Sequence, residues 1–123
     1  MAADPPFPGF LDFCERLFDL SAVPVSWRFA LASVHGIYLL ACPRTGKQYV
    51  GLATGSEGFW GRWEQYVASG HGGNKRMMGL PASDYQVSIL EVASSSATTE
   101  ALARMESRWK DKLQSRKFGL NGN

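Results

Sequence analysis

From Gly36 onward the chain predicts a small α+β domain, and three observations carry that prediction. Two short strand-like runs are separated by a turn rich in Pro and Gly, a third run alternates apolar and polar residues further on, and two amphipathic stretches read as helices. The order is ββαβα, so the sheet is expected to have three strands and to be mainly antiparallel, because its first two strands form a hairpin. A length of 123 residues with 45% apolar and 20% charged residues fits one globular core and excludes a disordered tail, a collagen-like repeat or a coiled-coil rod.

Before the hairpin, Phe10, Phe13, Cys14, Leu17 and Phe18 recur at helical spacing, which predicts a helix from Gly9 to Leu20 packing one face. Pro24 breaks it, and Ser26 is the expected cap of a second helix, Trp27 to Ser33. Residues 1–34 therefore read as an N-terminal helical extension of the domain at 35–123. Trp27, Phe29 and Leu31 carry too much apolar surface to be left in water, so the extension is expected to pack on the core.

The hairpin strands run from Gly36 to Cys42 and from Lys47 to Leu52, across Pro43-Arg44-Thr45-Gly46. A four-residue loop sets Cys42 opposite Lys47, Leu40 opposite Tyr49 and Tyr38 opposite Gly51. Tyr38 and Tyr49 are then diagonal neighbours on one face. Phe59, Trp63 and Tyr66 mark a helix between Glu57 and Ser69, capped by Ser56 and stopped by Gly70. A glycine-rich loop, Gly70 to Arg76, leads toward a strand from Tyr85 to Val92. Leu102, Met105, Trp109 and Leu113 form the stripe of a last helix capped by Thr98 or Thr99.

Charge is uneven along the chain. Residues 1–61 hold 4 Lys/Arg against 5 Asp/Glu, whereas residues 62–123 hold 9 against 6, six of the nine between Arg104 and Lys117. That excess suits an acidic partner such as nucleic acid, or a solvated helix face. Cys14 and Cys42 form neither a CxxC pair nor a zinc pattern, and both read as small buried hydrophobes. No apolar run approaches the roughly 18 residues needed to span a bilayer, and the acidic, Pro-rich start is unlike a signal peptide, so no membrane partner and a cytoplasmic location are expected.

Gly36-Ile37-Tyr38 on the first strand and Tyr49-Val50-Gly51 on the second, followed in order by Arg62, Glu106 and Asn121, resemble the GIY-YIG nuclease family from Gly36 to the C-terminus. Val50 stands where the family name has isoleucine, a β-branched exchange that leaves the tyrosine in place. Gly61-Arg62-Trp63, His71-Gly72-Gly73-Asn74 and Phe118-Gly119-Leu120-Asn121 further look like a group of bacterial members in which a longer N-terminal region often precedes the nuclease domain, so a shortened member or an excised domain is expected. The resemblance implies a compact sheet flanked by helices, a magnesium or manganese ion held by the helix glutamate, and hydrolysis of DNA phosphodiesters.

Phosphodiester hydrolysis needs a deprotonated water, a neutralised phosphate and a stabilised leaving oxygen. Tyr38 is the expected general base. A phenol of pKa about 10 needs help to ionise, from a second phenol or a cation, with Tyr49, Lys75 or His71 in view. Arg62 is expected on the phosphate, its alternative being an ion pair with Glu57 or Glu64. Glu106, one position off the apolar stripe, is expected at the edge of the packed face as the metal ligand, its alternative being a pair with Lys110 or Lys112. His71 reads as a second candidate base or phosphate contact. Lys75, Arg76, Arg104 and Lys117 read as phosphate contacts, and Gly36, Gly51, Asn74 and Asn121 as support, with chain-end hydrogen bonding as the alternative for Asn121. The whole reads as a metal-dependent DNA endonuclease. Its rivals are a DNA-binding module without activity and a protein-interaction domain working through the N-terminal aromatic helix.

Overall fold

A computed structural model describes residues 4–69 and 85–122. Its centre is an antiparallel sheet in the order β1-β4-β2-β3, with β1 at Cys14–Arg16, β2 at Gly36–Ala41, β3 at Gln48–Ala53 and β4 at Gln86–Val92. Helix α1 spans Val25–Ala32, α2 Gly58–Ser69, α3 Thr99–Leu113 and α4 Ser115–Phe118. The mixed sheet-and-helix architecture expected from the sequence is present, with one strand more than expected.

The extra strand corrects the reading of the N-terminal region. Where a helix was expected from Gly9 to Leu20, the chain makes β1 and then a 3₁₀ helix at Leu17–Ala22. Phe13, Leu17 and Leu20 are buried at intervals that also suit a helix, but Cys14 and Phe18 are exposed. What decides the conformation is the open edge of β4, which pairs with β1 from Cys14 opposite Ser88 to Arg16 opposite Gln86, extended by a 2.8 Å bond from the Leu17 amide to the Tyr85 carbonyl. Tertiary pairing overrides the local period. Helix α1 begins after Pro24 with no side-chain cap, so Ser26 does not cap it.

The hairpin follows the expected register, Leu40 opposite Tyr49 and Tyr38 opposite Gly51. Its turn is closed by Cys42 N to Lys47 O and Gly46 N to Cys42 O, both 2.9 Å. Between Ile37 and Tyr38 the pairing of β2 with β4 shifts by one residue, a bulge of the kind that re-aims a side chain. Thr98 caps α3, its hydroxyl accepting from the Ala101 amide at 3.0 Å, and Glu100 in the first turn and Lys110 and Lys112 in the last complement the helix dipole.

One core joins the N-terminal segment to the sheet. Phe13 stacks on Trp63 with ring centroids 5.5 Å apart, and Leu17, Leu20 and Leu31 bury beside Tyr38, Leu40 and Val87. The C-terminal segment covers the other edge of the sheet: the Leu120 amide donates to Gln48 O at 2.8 Å, and the buried Asn121 side chain accepts from Val50 N at 2.8 Å and donates to Val50 O at 2.9 Å.

Candidate active site

Tyr38 stands in mid-strand with its ring across the neighbouring strand, which is possible because Gly51 is its register partner: a Cβ there would overlap the Tyr38 ring. Gly36 answers a similar demand, since a Cβ on it would run into the Glu91 carbonyl oxygen. The two motif glycines thus create room for backbone and ring. Tyr38 and Tyr49 share one face, centroids 6.4 Å apart, as the four-residue loop requires.

The second phenol bonded to Tyr38 is Tyr66 of α2, the two hydroxyls lying 3.1 Å apart in the interior. Arg62, one turn earlier, lays its guanidinium 4.8 Å above the Tyr66 ring and donates to the Tyr66 oxygen at 3.3 Å and to the Gln65 side-chain oxygen at 2.5 Å. Its charge also acts on the Tyr38 phenol. The sequence pattern marks Tyr66 only as a helix-packing residue. The available signal was its spacing of four from Arg62, which puts the two on one helix face.

Burial pushes the Tyr38 phenol well above its ordinary range, and the Arg62 charge recovers part of that shift. Tyr66 is raised further by burial and by the neighbouring phenols. For Arg62, burial works against the charge, but the oxygens of Tyr38, Tyr66 and Tyr49 outweigh it and the guanidinium is held more firmly protonated than usual. Arg62 and Gln65 also line a shallow cleft whose far wall is the loop from Thr54 to Gly58. The cluster therefore offers two neutral hydroxyls and a fixed cation beside an open surface.

Glu106 approaches the hairpin from the other helix. Helix α3 packs against β3 and β2, and its Trp109 donates to Glu91 at 2.9 Å. Glu91 is the register partner of Ile37, whose side chain points away from Tyr38, so this half of α3 covers the opposite face of the sheet from α2. Glu106 is half-buried on α3, one turn from the buried Leu102 and one turn from the buried Lys110. Its carboxylate makes the alternative contact foreseen for it, an ion pair with Lys110 at 3.5 Å.

Among the other expected residues, Arg104 and Lys117 are exposed, and the Lys117 ammonium sits 5.2 Å from the Phe118 ring. Asn121 adopts the alternative weighed for it, chain-end hydrogen bonding, and ties down the backbone of Val50 between Tyr49 and Gly51. His71, Asn74, Lys75 and Arg76 lie outside the described residues. The structure thus gathers Tyr38, Tyr49 and Arg62 with Tyr66, and sets Glu106 on a separate helix.

The family model of the GIY-YIG catalytic domain matches residues 34–121, well over half of the chain. The chain belongs to the GIY-YIG family, whose members are generally endonucleases. No curated protein and no solved structure matches it. Among the described residues no helix is long and apolar enough to cross a membrane.

Proposed function

We propose that the chain is a divalent-metal-dependent DNA endonuclease that hydrolyses phosphodiester bonds. The observation that carries this reading is the Tyr38, Tyr66 and Arg62 cluster, two buried hydroxyls bonded to each other, with a guanidinium bonded to the Tyr66 oxygen and its charge acting on Tyr38. Arg62 binds a phosphate oxygen and neutralises charge as the phosphorus is attacked. Tyr38 takes the proton of the attacking water, with Arg62 stabilising the phenolate and Tyr66 orienting it by a hydrogen bond. Tyr49 lines the same face, and Arg104 and Lys117 hold backbone phosphates away from the reacting bond.

Glu106 is the residue that would hold magnesium or manganese. Among the described residues no three His, Cys, Asp or Glu side chains gather to hold an ion, but magnesium commonly keeps several waters and takes one or two carboxylates plus substrate phosphate. Glu106 is, however, already paired with the buried Lys110 and lies across the sheet from Arg62, so its place as metal ligand rests on the sequence motif and not on the geometry. His71, Lys75 and Arg76 remain in the proposal on the sequence motif alone, with His71 as second candidate base and the two cations on phosphate.

One observation favours a DNA-binding module without activity: Tyr38 is fully buried, and burial favours its neutral phenol. Supercoiled plasmid incubated with the chain, with magnesium or with EDTA, separates the readings. Nicking that needs the metal supports the endonuclease, and salt-dependent binding without nicking supports the module. The protein-interaction reading loses the feature it relied on, since no aromatic helix forms at Gly9 to Leu20 and Phe13 is core.

A further inference from the structure

The turn of the β2-β3 hairpin is shaped by its own hydrogen bonds. Besides the two that close it, the Lys47 amide donates to the Thr45 hydroxyl oxygen at 3.2 Å. Beside the turn, Arg44, Thr45 and Lys47 line a cleft of about 390 Å³ together with the buried Cys42, Tyr85 and Leu120. Arg44 and Lys47 are exposed cations, and among the described residues that line the cleft none is Asp or Glu. Gly119 continues the lining, and it approaches the Gln48 carbonyl so closely that a Cβ on it would overlap the oxygen, which brings the end of α4, with Lys117, against the hairpin. The cleft and the tyrosine cluster share a face of the sheet. Lys47 precedes Tyr49 by two residues, so the two side chains leave the chain on the same side, about 7 Å apart along it. The Tyr49 ring lies 6.4 Å from that of Tyr66, over which Arg62 is stacked. Arg62, Tyr66, Tyr49 and Lys47 thus succeed one another across one face.

We propose that this cleft holds the backbone of the cleaved DNA strand beyond the reacting bond, a role that rests on the nuclease reading above. A DNA strand rises about 3.4 Å per nucleotide, so a backbone with one phosphate on Arg62 reaches the cleft within a few nucleotides. Lys47 and Arg44 take phosphates there, and the Thr45 hydroxyl, whose oxygen already accepts from the Lys47 amide, donates its proton to one of them. Contacts of this kind position the strand and read no sequence. The phosphate on Arg62 is then placed by a second hold at the far end of the same sheet face.

The test is binding of the full chain to fluorescein-labelled duplexes of two unrelated sequences, followed by anisotropy over a range of sodium chloride concentrations in EDTA. Arg44→Gln combined with Lys47→Gln is expected to bind both duplexes about tenfold more weakly than the parent at about 0.1 M salt. The slope of log affinity on log salt is expected to flatten by about two, one for each lost phosphate contact. Arg108→Gln combined with Lys112→Gln removes the same charge from the exposed surface of α3 and is expected to stay within about twofold of the parent. An equal loss in that control assigns the effect to net charge and overturns the cleft. Parent-like affinity and slope in the Arg44 and Lys47 variant, with the parent binding DNA, overturns the cleft and leaves the nuclease reading standing. Absence of salt-dependent binding by the parent overturns both, and a loss confined to one duplex overturns the backbone contact. All four substituted residues are exposed, and circular dichroism melting verifies the fold of each variant.

Discussion

Helix α2 brings the cation Arg62 to phenols whose ionisation is suppressed, whereas α3 brings an acid and a base, Glu106 and Lys110, that neutralise each other. The two sides also differ in how they are held. On the α2 side, Phe13, Trp63, Tyr38 and Tyr66 form a continuous run of ring contacts, so the position of Arg62 is fixed by aromatic packing that begins in the N-terminal segment. On the α3 side, the carboxylate is held by an ion pair with a buried lysine. One side is preorganised by shape and the other is poised by charge, and variants should divide accordingly.

The largest expected effect falls on shape. Phe13→Ala removes a buried ring stacked on Trp63 and should cost roughly 3–5 kcal/mol in urea unfolding, close to the whole stability of many small domains. A loss below about 1 kcal/mol would show that the α2 side does not depend on the N-terminal segment. Next comes the chemistry. Glu106→Gln and Tyr38→Phe should each slow plasmid cleavage at least about 100-fold while DNA binding persists. Magnesium titrations of cleavage should shift for the first and not for the second; full activity in Glu106→Gln would move the metal elsewhere.

Dependence on pH sharpens the α2 side. With the Tyr38 phenol raised above its ordinary value, the phenolate is a minor form at neutral pH, so cleavage should climb about one log unit per pH unit between about pH 7 and pH 9. A flat profile would take the base away from Tyr38. The same shifts bear on stability: the folded protein retains the Tyr38 and Tyr66 protons above the unfolded value of about 10, where the unfolded chain releases them. Their contribution is complete below about pH 10 and is lost as pH rises through the folded values. The urea midpoint should therefore fall in strong alkali, and fall less for Tyr66→Phe. The smallest effect belongs to the outer surface, where Arg104→Ala or Lys117→Ala should weaken binding only a few-fold and equally for unrelated duplexes, as read by fluorescence anisotropy.

The hairpin was legible because it is local: a four-residue turn between Cys42 and Lys47 decides which residues face Tyr38 and Tyr49. Tyr66 was missed, because only Arg62 carries a motif and a tyrosine on an apolar helix face reads as packing. Strand β1 was not legible either, because its conformation is decided by a β4 edge about seventy residues away along the chain. Nor was the burial of Lys110, which lies off the stripe of Leu102, Met105, Trp109 and Leu113. Lys110 is among the most buried residues of the helix, and no periodicity of apolar residues announces a buried cation.

The C-terminal segment reaches beyond the site in its effect. Strand β3 would otherwise present unpaired amides and carbonyls along the rim of the sheet, an invitation for a second chain to add a strand of its own. Leu120 and the side-chain amide of Asn121 occupy the Gln48 and Val50 positions of that rim, while β1 occupies the corresponding stretch of β4. Two short segments, remote in sequence, thereby cover part of both flanks of the β4-β2-β3 unit, and the asparagine that steadies the strand between Tyr49 and Gly51 also takes up a stretch of rim on which a second chain could otherwise pair.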